Sequence, residues 1–129
     1  MTAIAFAAAK LVVADIDRLE TFYCGALGFT VTARIADGEG AAQIREIFLG
    51  LGNAPSQLAL IHFVNLPAPQ PGGAIVALMV DDIAATLASV LAHGGSDLSG
   101  VIDAPAYNLR LAFVADPEGH QLELMQRTA

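Results

Sequence analysis

Hydrophobic and polar positions follow the same pattern in the two halves of the chain. Each half begins with a short apolar segment, continues with an acidic turn and a stretch whose apolar residues recur at helical spacing, and ends with further short apolar segments. The pattern predicts one strand, one helix and three more strands in each half. The individual strands are predicted at residues 6–14, 29–34, 45–49, 57–64, 74–80, 109–114 and 121–126, and a loose segment with Ser96 and Asp97 is predicted after the second helix.

Both predicted helices carry signals at their ends. Asp17 has the residue type of an N-cap, and Glu20, three residues later, can complete a capping box. Gly28 is well placed to end this first helix in the left-handed conformation. In the second half, residues 81–83 (Asp-Asp-Ile) open a helix and residues 94–95 (Gly-Gly) close it.

The two halves are related by an internal repeat. Residues 65–73 contain three prolines and are predicted to form a stiff linker between them. We therefore predict a single domain over residues 1–129, with module one at about 1–66, the linker at about 65–73 and module two at about 74–129. The matches are Val13–Ile16 with Val80–Ile83 and Leu27-Gly28 with Gly94-Gly95 near an offset of 67, Arg45–Leu49 with Arg110–Val114 at 65, and Gln57–Ile61 with Gln121–Met125 at 64.

Composition narrows the classes of partner and compartment. The net charge of −7 and the lack of clustered Lys and Arg argue against a nucleic-acid partner, because phosphate binding needs a basic face. No apolar run reaches the length of a membrane span. The single cysteine, Cys24, cannot form an internal disulfide, and we expect a cytoplasmic protein. The alanine-rich apolar content would suit a homodimer interface.

Four sequence segments carry a family resemblance. They are Val-Val-Ala-Asp-Ile-Asp-Arg at residues 12–18, Phe22-Tyr23, Leu27-Gly28-Phe29, and Asp-Pro-Glu-Gly-His-Gln-Leu-Glu-Leu at residues 116–124. In this order they resemble the glyoxalase / bleomycin resistance protein / extradiol dioxygenase superfamily, also called the vicinal oxygen chelate fold. The resemblance implies an α+β fold of two tandem βαβββ modules whose open, curved mixed sheet surrounds a ligand cavity. It also implies a homodimer, which is common among small members.

The resemblance implies four metal-ligand positions, and most of them hold residues in this chain that cannot bind a metal. Metal-dependent members carry a ligand on the first and the last strand of each module, and these positions correspond to Ala8, Ala59, Ile75 and Glu123. A divalent metal in a catalytic site needs about three N, O or S donors. One carboxylate with three alkyl side chains does not supply them, so we expect no metal and no other cofactor.

Strand alternation predicts which side chains accompany Glu123 in the cavity. The predicted wall is apolar with a few polar groups, which is the composition of a small-molecule pocket. His62 is placed on the helix side by the same alternation, and His120 is expected near the surface. Tyr107 is predicted at the pocket mouth, and Arg110 is either a ligand cation or the partner of a solvated or interfacial salt bridge. The predicted ligand-binding residues are Lys10, Gln57, Ile61, Met79, Tyr107, Arg110, Gln121 and Met125.

Glu123 leaves two chemical alternatives open. It can form a structural ion pair with Lys10, or it can stand unpaired and act as a general base. The first functional hypothesis is a metal-free protein that binds a small hydrophobic or aromatic molecule. The second is a lyase or isomerase of glyoxalase type that transfers a proton through Glu123. The third is a metal-dependent glyoxalase-like enzyme or dioxygenase, and the sequence leaves open whether the protein is an enzyme.

Overall fold

The computed structural model of the protein describes residues 2–54 and 57–129, and these residues form eight β-strands and two α-helices. The two helices are separated by several strands, and short 3₁₀ turns lie at Gly40–Ala42 and Pro105–Tyr107. In chain order the elements are β1 (Ala8–Val12), α1 (Ile16–Leu27), β2 (Thr30–Asp37), β3 (Ile44–Gly50), β4 (Gln57–Phe63), β5 (Ile75–Met79), α2 (Ile83–Ala92), β6 (Ser96–Ala104), β7 (Leu109–Ala115) and β8 (Gln121–Arg127).

The strands form two four-stranded sheets with identical topology. Module one has the strand order β1-β4-β3-β2, and module two has β5-β8-β7-β6. In each sheet the first pair is parallel and the other two pairs are antiparallel. Neither sheet closes on itself. The predicted α+β fold of two tandem βαβββ modules is confirmed.

Strand register reproduces the internal repeat residue by residue. Lys10 of β1 pairs with Ala59 of β4 in module one, and Ala77 of β5 pairs with Glu123 of β8 in module two. The two pairs are related by the offsets of 67 and 64 that the sequence predicts. Ala59 and Glu123 therefore occupy equivalent places in the two sheets.

The first helix begins two residues earlier than predicted. Asp15 is its N-cap, and the Asp15 carboxylate accepts a hydrogen bond of 3.1 Å from the backbone N–H of Arg18. The prediction of Asp17 as N-cap is wrong, because Asp17 already lies in the first helical turn. At the other end Gly28 adopts φ 78°, so the predicted left-handed C-cap is confirmed.

Two ion pairs join α1 to the neighbouring strands of module one. The carboxylate of Asp17 accepts hydrogen bonds from both terminal nitrogens of Arg45 on β3, and the shorter of the two is 2.9 Å. The carboxylate of Glu20 accepts hydrogen bonds of 2.6 and 2.7 Å from the two terminal nitrogens of Arg34 on β2. The carboxylate of Glu20 therefore binds a guanidinium instead of completing a capping box.

Helix α2 follows the predicted end signals. Asp82 is its N-cap and accepts a hydrogen bond from the N–H of Ala85 at 3.1 Å. The side chain of Gln126 on β8 accepts another from the N–H of Ile83 at 2.8 Å. Gly94 follows the helix with φ 89°. Neither helix in the described part of the chain is long and apolar enough to cross a membrane.

The prediction of a loose segment after α2 is wrong, because residues 96–104 form the strand β6. This strand lies at the edge of its sheet and is mostly exposed, so it lacks the apolar alternation that marks a half-buried strand. Its pairing with β7 is interrupted between Asp97 and Val101. Gly100 there has φ 67°, and Asp97 Oδ1 accepts the N–H of Gly100 at 2.7 Å.

Each module has a core on the helix side of its sheet. In module one, Tyr23 is fully buried and makes edge-to-face contacts with Phe22 and Phe29, at centroid distances of 5.1 and 5.9 Å. The buried strand residues of module one include Ile47, Leu49, Leu58 and Leu60, and those of module two include Ala112, Val114, Leu122 and Leu124.

Candidate functional site

Each sheet has a face directed toward its helix and an opposite face, which we call the far face. Arg45 contacts α1 in module one and Gln126 contacts α2 in module two, so these two side chains identify the helix side of each sheet. Neighbouring residues of a strand point to opposite sides. With the strand registers, this defines the far face of module one as Ala8, Lys10, Val12, Glu46, Phe48, Ala59 and Ile61, and that of module two as Ile75, Ala77, Met79, Leu111, Phe113, Gln121, Glu123 and Met125.

The far face of module two is apolar and accessible. Ile75 and Met79 are 51% and 48% exposed, whereas Leu122 and Leu124 on the helix side are fully buried. Contiguous exposed apolar residues on a small protein mark a surface that binds something. This face therefore has the composition predicted for the wall of a ligand site.

Glu123 is the carboxylate of that apolar face. It is half-buried and lies in register between Ala77 on β5 and Phe113 on β7. Within residues 2–54 and 57–129, its carboxylate has no hydrogen-bond or ion-pair partner. A bound molecule with a hydrogen-bond donor would find an unoccupied acceptor there.

Lys10 forms an ion pair with a residue other than Glu123, the partner that the sequence analysis considered. Its Nζ lies 2.8 Å from Oε2 of Glu46, so Glu46 replaces Glu123 as the ion-pair partner. Lys10 is about half exposed, and its Nζ is 5.6 Å from the ring centroid of Phe48. Sequence reasoning missed Glu46, although the alternation along residues 44–50 places Glu46 and Phe48 on one face.

The other predicted ligand-binding residues fall in several places. Gln121 is exposed and Met125 half-buried on the far face of module two, and Ile61 is buried on that of module one. The side chain of Gln57 lies outside the described part of the chain. Tyr107 is exposed in the 3₁₀ turn before β7. The roles of these residues in binding stay predictions.

Arg110 lies on the helix side of its sheet. It pairs across the strands with Asp103, and its Nε is 3.3 Å from Oδ1 of Asp103. Arg110 also lies opposite Gln126, whose side chain binds the start of α2. The cation is therefore on the opposite side of the sheet from Glu123, and we leave it out of the candidate site.

The histidines have structural partners. His62 lies on the helix side, as predicted, and its Nδ1 is 2.9 Å from the carbonyl oxygen of Val13. The prediction of a near-surface His120 is wrong: it is buried, and its Nδ1 lies 2.8 Å from Oδ2 of Asp116. The turn folds back on itself, with the N–H of Asp116 bonded to the carbonyl of His120 at 3.0 Å, which carries the imidazole inward.

The single cysteine is a half-buried residue of α1. Burial raises the pKa of the Cys24 thiol. A thiol that stays protonated is a poor nucleophile and a poor metal ligand. Cys24 therefore does not contribute to the candidate site.

The four family metal positions do not supply a metal-binding donor set. Ala8, Ala59, Ile75 and Glu123 all lie on far faces, where the resemblance placed them. Three alkyl groups provide no lone pairs, and a single carboxylate does not hold a divalent ion in a catalytic geometry. In the described ranges, no three His, Cys, Asp or Glu side chains are grouped so as to bind a metal. The metal-free site stays a prediction.

Comparison with known proteins adds a family and several structural likenesses. The model of the Glyoxalase/Bleomycin resistance protein/Dioxygenase superfamily matches residues 4–124. A glyoxalase family protein from Bacillus cereus has a TM-score of 0.87 at 18% identity, over 100% of this chain and 97% of that chain. A glyoxalase/bleomycin resistance protein from Streptomyces sp. CB03234 has a TM-score of 0.67 at 24% identity, over 93% and 98%.

A longer protein contains the same fold. A glyoxalase I mutant from Zea mays has a TM-score of 0.75 at 22% identity, and the match covers 93% of this chain but 45% of the maize chain. No match was found among curated proteins. At these identities the structural likenesses establish the fold alone.

Proposed function

We propose that this chain, which belongs to the Glyoxalase/Bleomycin resistance protein/Dioxygenase superfamily, binds a small hydrophobic or aromatic molecule without a metal ion. The observation that carries the proposal is the far face of module two. There Ile75 and Met79 remain about half exposed around the carboxylate of Glu123, while the other side of the same sheet is packed. Apolar walls with a few orienting polar groups are typical of small-molecule sites.

The side chains on the far face of module two indicate which kind of ligand it would bind. Apolar area removed from water contributes roughly 25 cal/mol per Å², so most of the binding free energy comes from contact with the ring or chain of the ligand. Glu123 adds an acceptor for one hydroxyl or N–H of the ligand. The preferred ligand is therefore largely apolar and carries at least one hydrogen-bond donor.

A thermal-shift screen of small aromatic compounds tests this proposal. A ligand that binds only the folded chain at about 100 times its Kd stabilises it by about 2.7 kcal/mol, which raises Tm measurably. Met79→Asp places a charge on the far face and is expected to abolish the shift. Leu91→Asp is the matched control, because Leu91 is 50% exposed but lies on α2. A screen without stabilising compounds, or an equal loss with Leu91→Asp, contradicts the proposal.

A lyase or isomerase activity is the second candidate. It is favoured by the half-buried carboxylate of Glu123, for which the described residues provide no partner. A carboxylate of this kind can remove a proton from carbon next to a carbonyl group of a bound molecule. The two candidates share one site and differ in whether the bound molecule is changed.

We also propose that the protein is a cytoplasmic homodimer. Ile4 and Phe6 of module one are strongly exposed apolar side chains, and a second copy of the chain would cover such surface. Light scattering on purified protein is expected to give twice the chain mass of 13.3 kDa. A mass of one chain across the concentration range contradicts the dimer.

A further inference from the structure

Glu46 is a buried carboxylate that the proposed binding of an apolar ligand does not require. It is 4% exposed and lies on the far face of module one. Its Oε2 has no hydrogen-bond partner in the described part of the chain and lies 2.8 Å from the Lys10 ammonium, with which it forms an ion pair. A buried charge is costly unless an opposite charge compensates it. Lys10 therefore provides the compensation for Glu46.

Lys10 reaches Glu46 across a neighbouring strand. Lys10 lies on β1 and Glu46 on β3, with β4 between them. Ala59 of β4 is in register with Lys10 on one side and with Phe48 on the other. The small side chain of Ala59 leaves room for the lysine to extend over β4, where Nζ stands 5.6 Å from the Phe48 ring centroid. The result is an ammonium group held over a flat ring.

The ammonium still has hydrogen-bonding capacity toward a ligand. Lys10 is 47% exposed, and an ammonium has three N–H donors. Its charge is balanced by the carboxylate beside it, so the pair as a whole is neutral. A ligand carboxylate bound to Nζ would also approach the carboxylate of Glu46, and this repulsion opposes the attraction to Nζ. A neutral oxygen accepts the same hydrogen bond without that repulsion.

We propose that the pair of Lys10 and Glu46 makes the far face of module one selective for a neutral hydroxyl or carbonyl oxygen on a flat ring, and that it disfavours the corresponding carboxylate. The inference goes beyond the proposed function, whose ligand lies on the far face of module two, because it assigns a second ligand site to module one. Lys10 contacts the ligand oxygen, and the ring lies toward Phe48. Glu46 is a positioning residue that holds the ammonium and cancels its charge.

Two probes with the same ring system test the selectivity. Binding of 2-naphthol and 2-naphthoate to the full chain is measured by calorimetry at neutral pH. The wild-type chain is expected to bind 2-naphthol about tenfold more tightly, since only 2-naphthoate is repelled by the carboxylate of Glu46 and a difference of about 1.4 kcal/mol corresponds to tenfold in affinity. Lys10→Met is expected to weaken 2-naphthol about tenfold.

Glu46→Gln provides the decisive variant, because it keeps the side-chain size and removes the negative charge. Binding of 2-naphthoate is expected to tighten about tenfold, while that of 2-naphthol changes less than about threefold. Glu20→Gln is the matched control: it removes one negative charge from the same module, where Glu20 pairs with Arg34 on the helix side. This control is expected to leave the ratio of the two affinities unchanged.

The outcomes separate this inference from the proposed function. An unchanged affinity ratio in Glu46→Gln, or an equal change in Glu20→Gln, overturns the inference. If neither naphthyl compound binds while other ring compounds raise Tm, the inference is wrong and the proposed function stands. If no compound binds at all, both are wrong. Should Glu46→Gln fail to fold, the double variant Lys10→Met/Glu46→Gln replaces it, because it leaves no buried charge uncompensated, and an unchanged ratio of the two affinities then overturns the inference.

Discussion

Asp15 and Asp17 show how two aspartates of the same helix start take different roles. Both have the residue type of an N-cap, and the sequence offers a glutamate three residues after Asp17. Asp15 has the non-helical backbone of a cap, with φ −119° and ψ 88°, and its carboxylate accepts from Arg18. Asp17 is inside the helix, and its carboxylate binds Arg45. The distant arginine on β3, rather than local sequence, decides between the two roles.

Replacing these aspartates by alanine is expected to separate the two roles. Asp15→Ala removes the cap and lowers the free energy of unfolding by about 1 kcal/mol. Asp17→Ala removes an exposed ion pair, and such pairs contribute little, so its effect is smaller. Urea denaturation measures both. A larger loss in Asp17→Ala than in Asp15→Ala contradicts this assignment of the cap.

Glu123 gives the second prediction for a single residue. If the ligands found by thermal shift include compounds with an acidic C–H next to a carbonyl, Glu123→Gln is expected to slow exchange of that hydrogen with solvent deuterium by about 100-fold or more. The substitution keeps the size of the side chain, so the melting curve stays close to wild type. Glu118→Gln, in the turn before β8, is the control with the same change of charge. Equal exchange in wild type and Glu123→Gln rules out proton transfer through this residue.

Helix α1 is joined to its sheet by charge as well as by apolar packing. The hydrogen bonds from Arg34 hold the pKa of Glu20 below its ordinary value of 4.5, and those from Arg45 lower the pKa of Asp17 in the same way. A carboxyl whose pKa is lower in the folded state stabilises the fold above its unfolded pKa. That contribution is lost as the pH falls through the folded pKa.

Removing Arg34 is therefore expected to change how stability depends on pH. Arg34→Met lowers Tm near neutral pH, where Glu20 is charged and paired in the wild type. The difference in Tm between wild type and Arg34→Met is expected to shrink as the pH falls below about 4.5. High salt is expected to reduce the same difference, because both partners are partly exposed. A difference that is independent of pH contradicts the electrostatic role.

Strand β6 shows at the scale of an element why an edge is hard to predict. Edge strands are paired on one side only, and this one exposes most of its side chains. Its irregularity is stabilised by Asp97, whose Oδ1 accepts the N–H groups of Ser99 and Gly100 at 3.2 and 2.7 Å. Hydrophobic periodicity is weak in such a segment, although the repeat by itself requires a strand there.

Gly100 is expected to be the sensitive position of that edge. Its φ of 67° is left-handed, while nothing lies within 4 Å of an added Cβ, so Gly100→Ala is strained by backbone conformation alone. The expected loss in free energy of unfolding is about 1 kcal/mol. Gly72→Ala is the control, because Gly72 also has open space but no positive φ, and its effect is neutral or slightly stabilising. Equal effects of the two substitutions contradict the role of the backbone conformation.

At the scale of the whole molecule, two modules with one topology carry different chemistry. Equivalent positions hold Ala59 in module one and Glu123 in module two, and the lysine of module one corresponds to Ala77. Module one thus presents a neutral ion pair, and module two presents a lone carboxylate among apolar side chains. The two sheets share one strand order, while their far faces carry different side chains.

Metal ions are expected to leave the whole protein unaffected. Because the family metal positions provide one donor residue, Ni²⁺, Zn²⁺, Mn²⁺ and Fe²⁺ should not raise Tm, whereas a tightly bound metal would stabilise the fold by several kcal/mol. Chelation with EDTA is likewise expected to leave Tm unchanged. Elemental analysis of the purified protein provides the second measurement, and a stoichiometric amount of any of these metals contradicts the prediction.

The sequence by itself determined the order of most elements, the repeat and the face on which Glu123 lies. Strand and helix periodicities are local properties, and the offset between repeats transfers them from one module to the other. The tertiary structure alone decided that Lys10 pairs with Glu46, that His120 is buried and that the strand required by the repeat spans residues 96–104. Each of these depends on which strands become neighbours or on how a turn closes, and contacts between residues far apart in the chain leave no periodic signal.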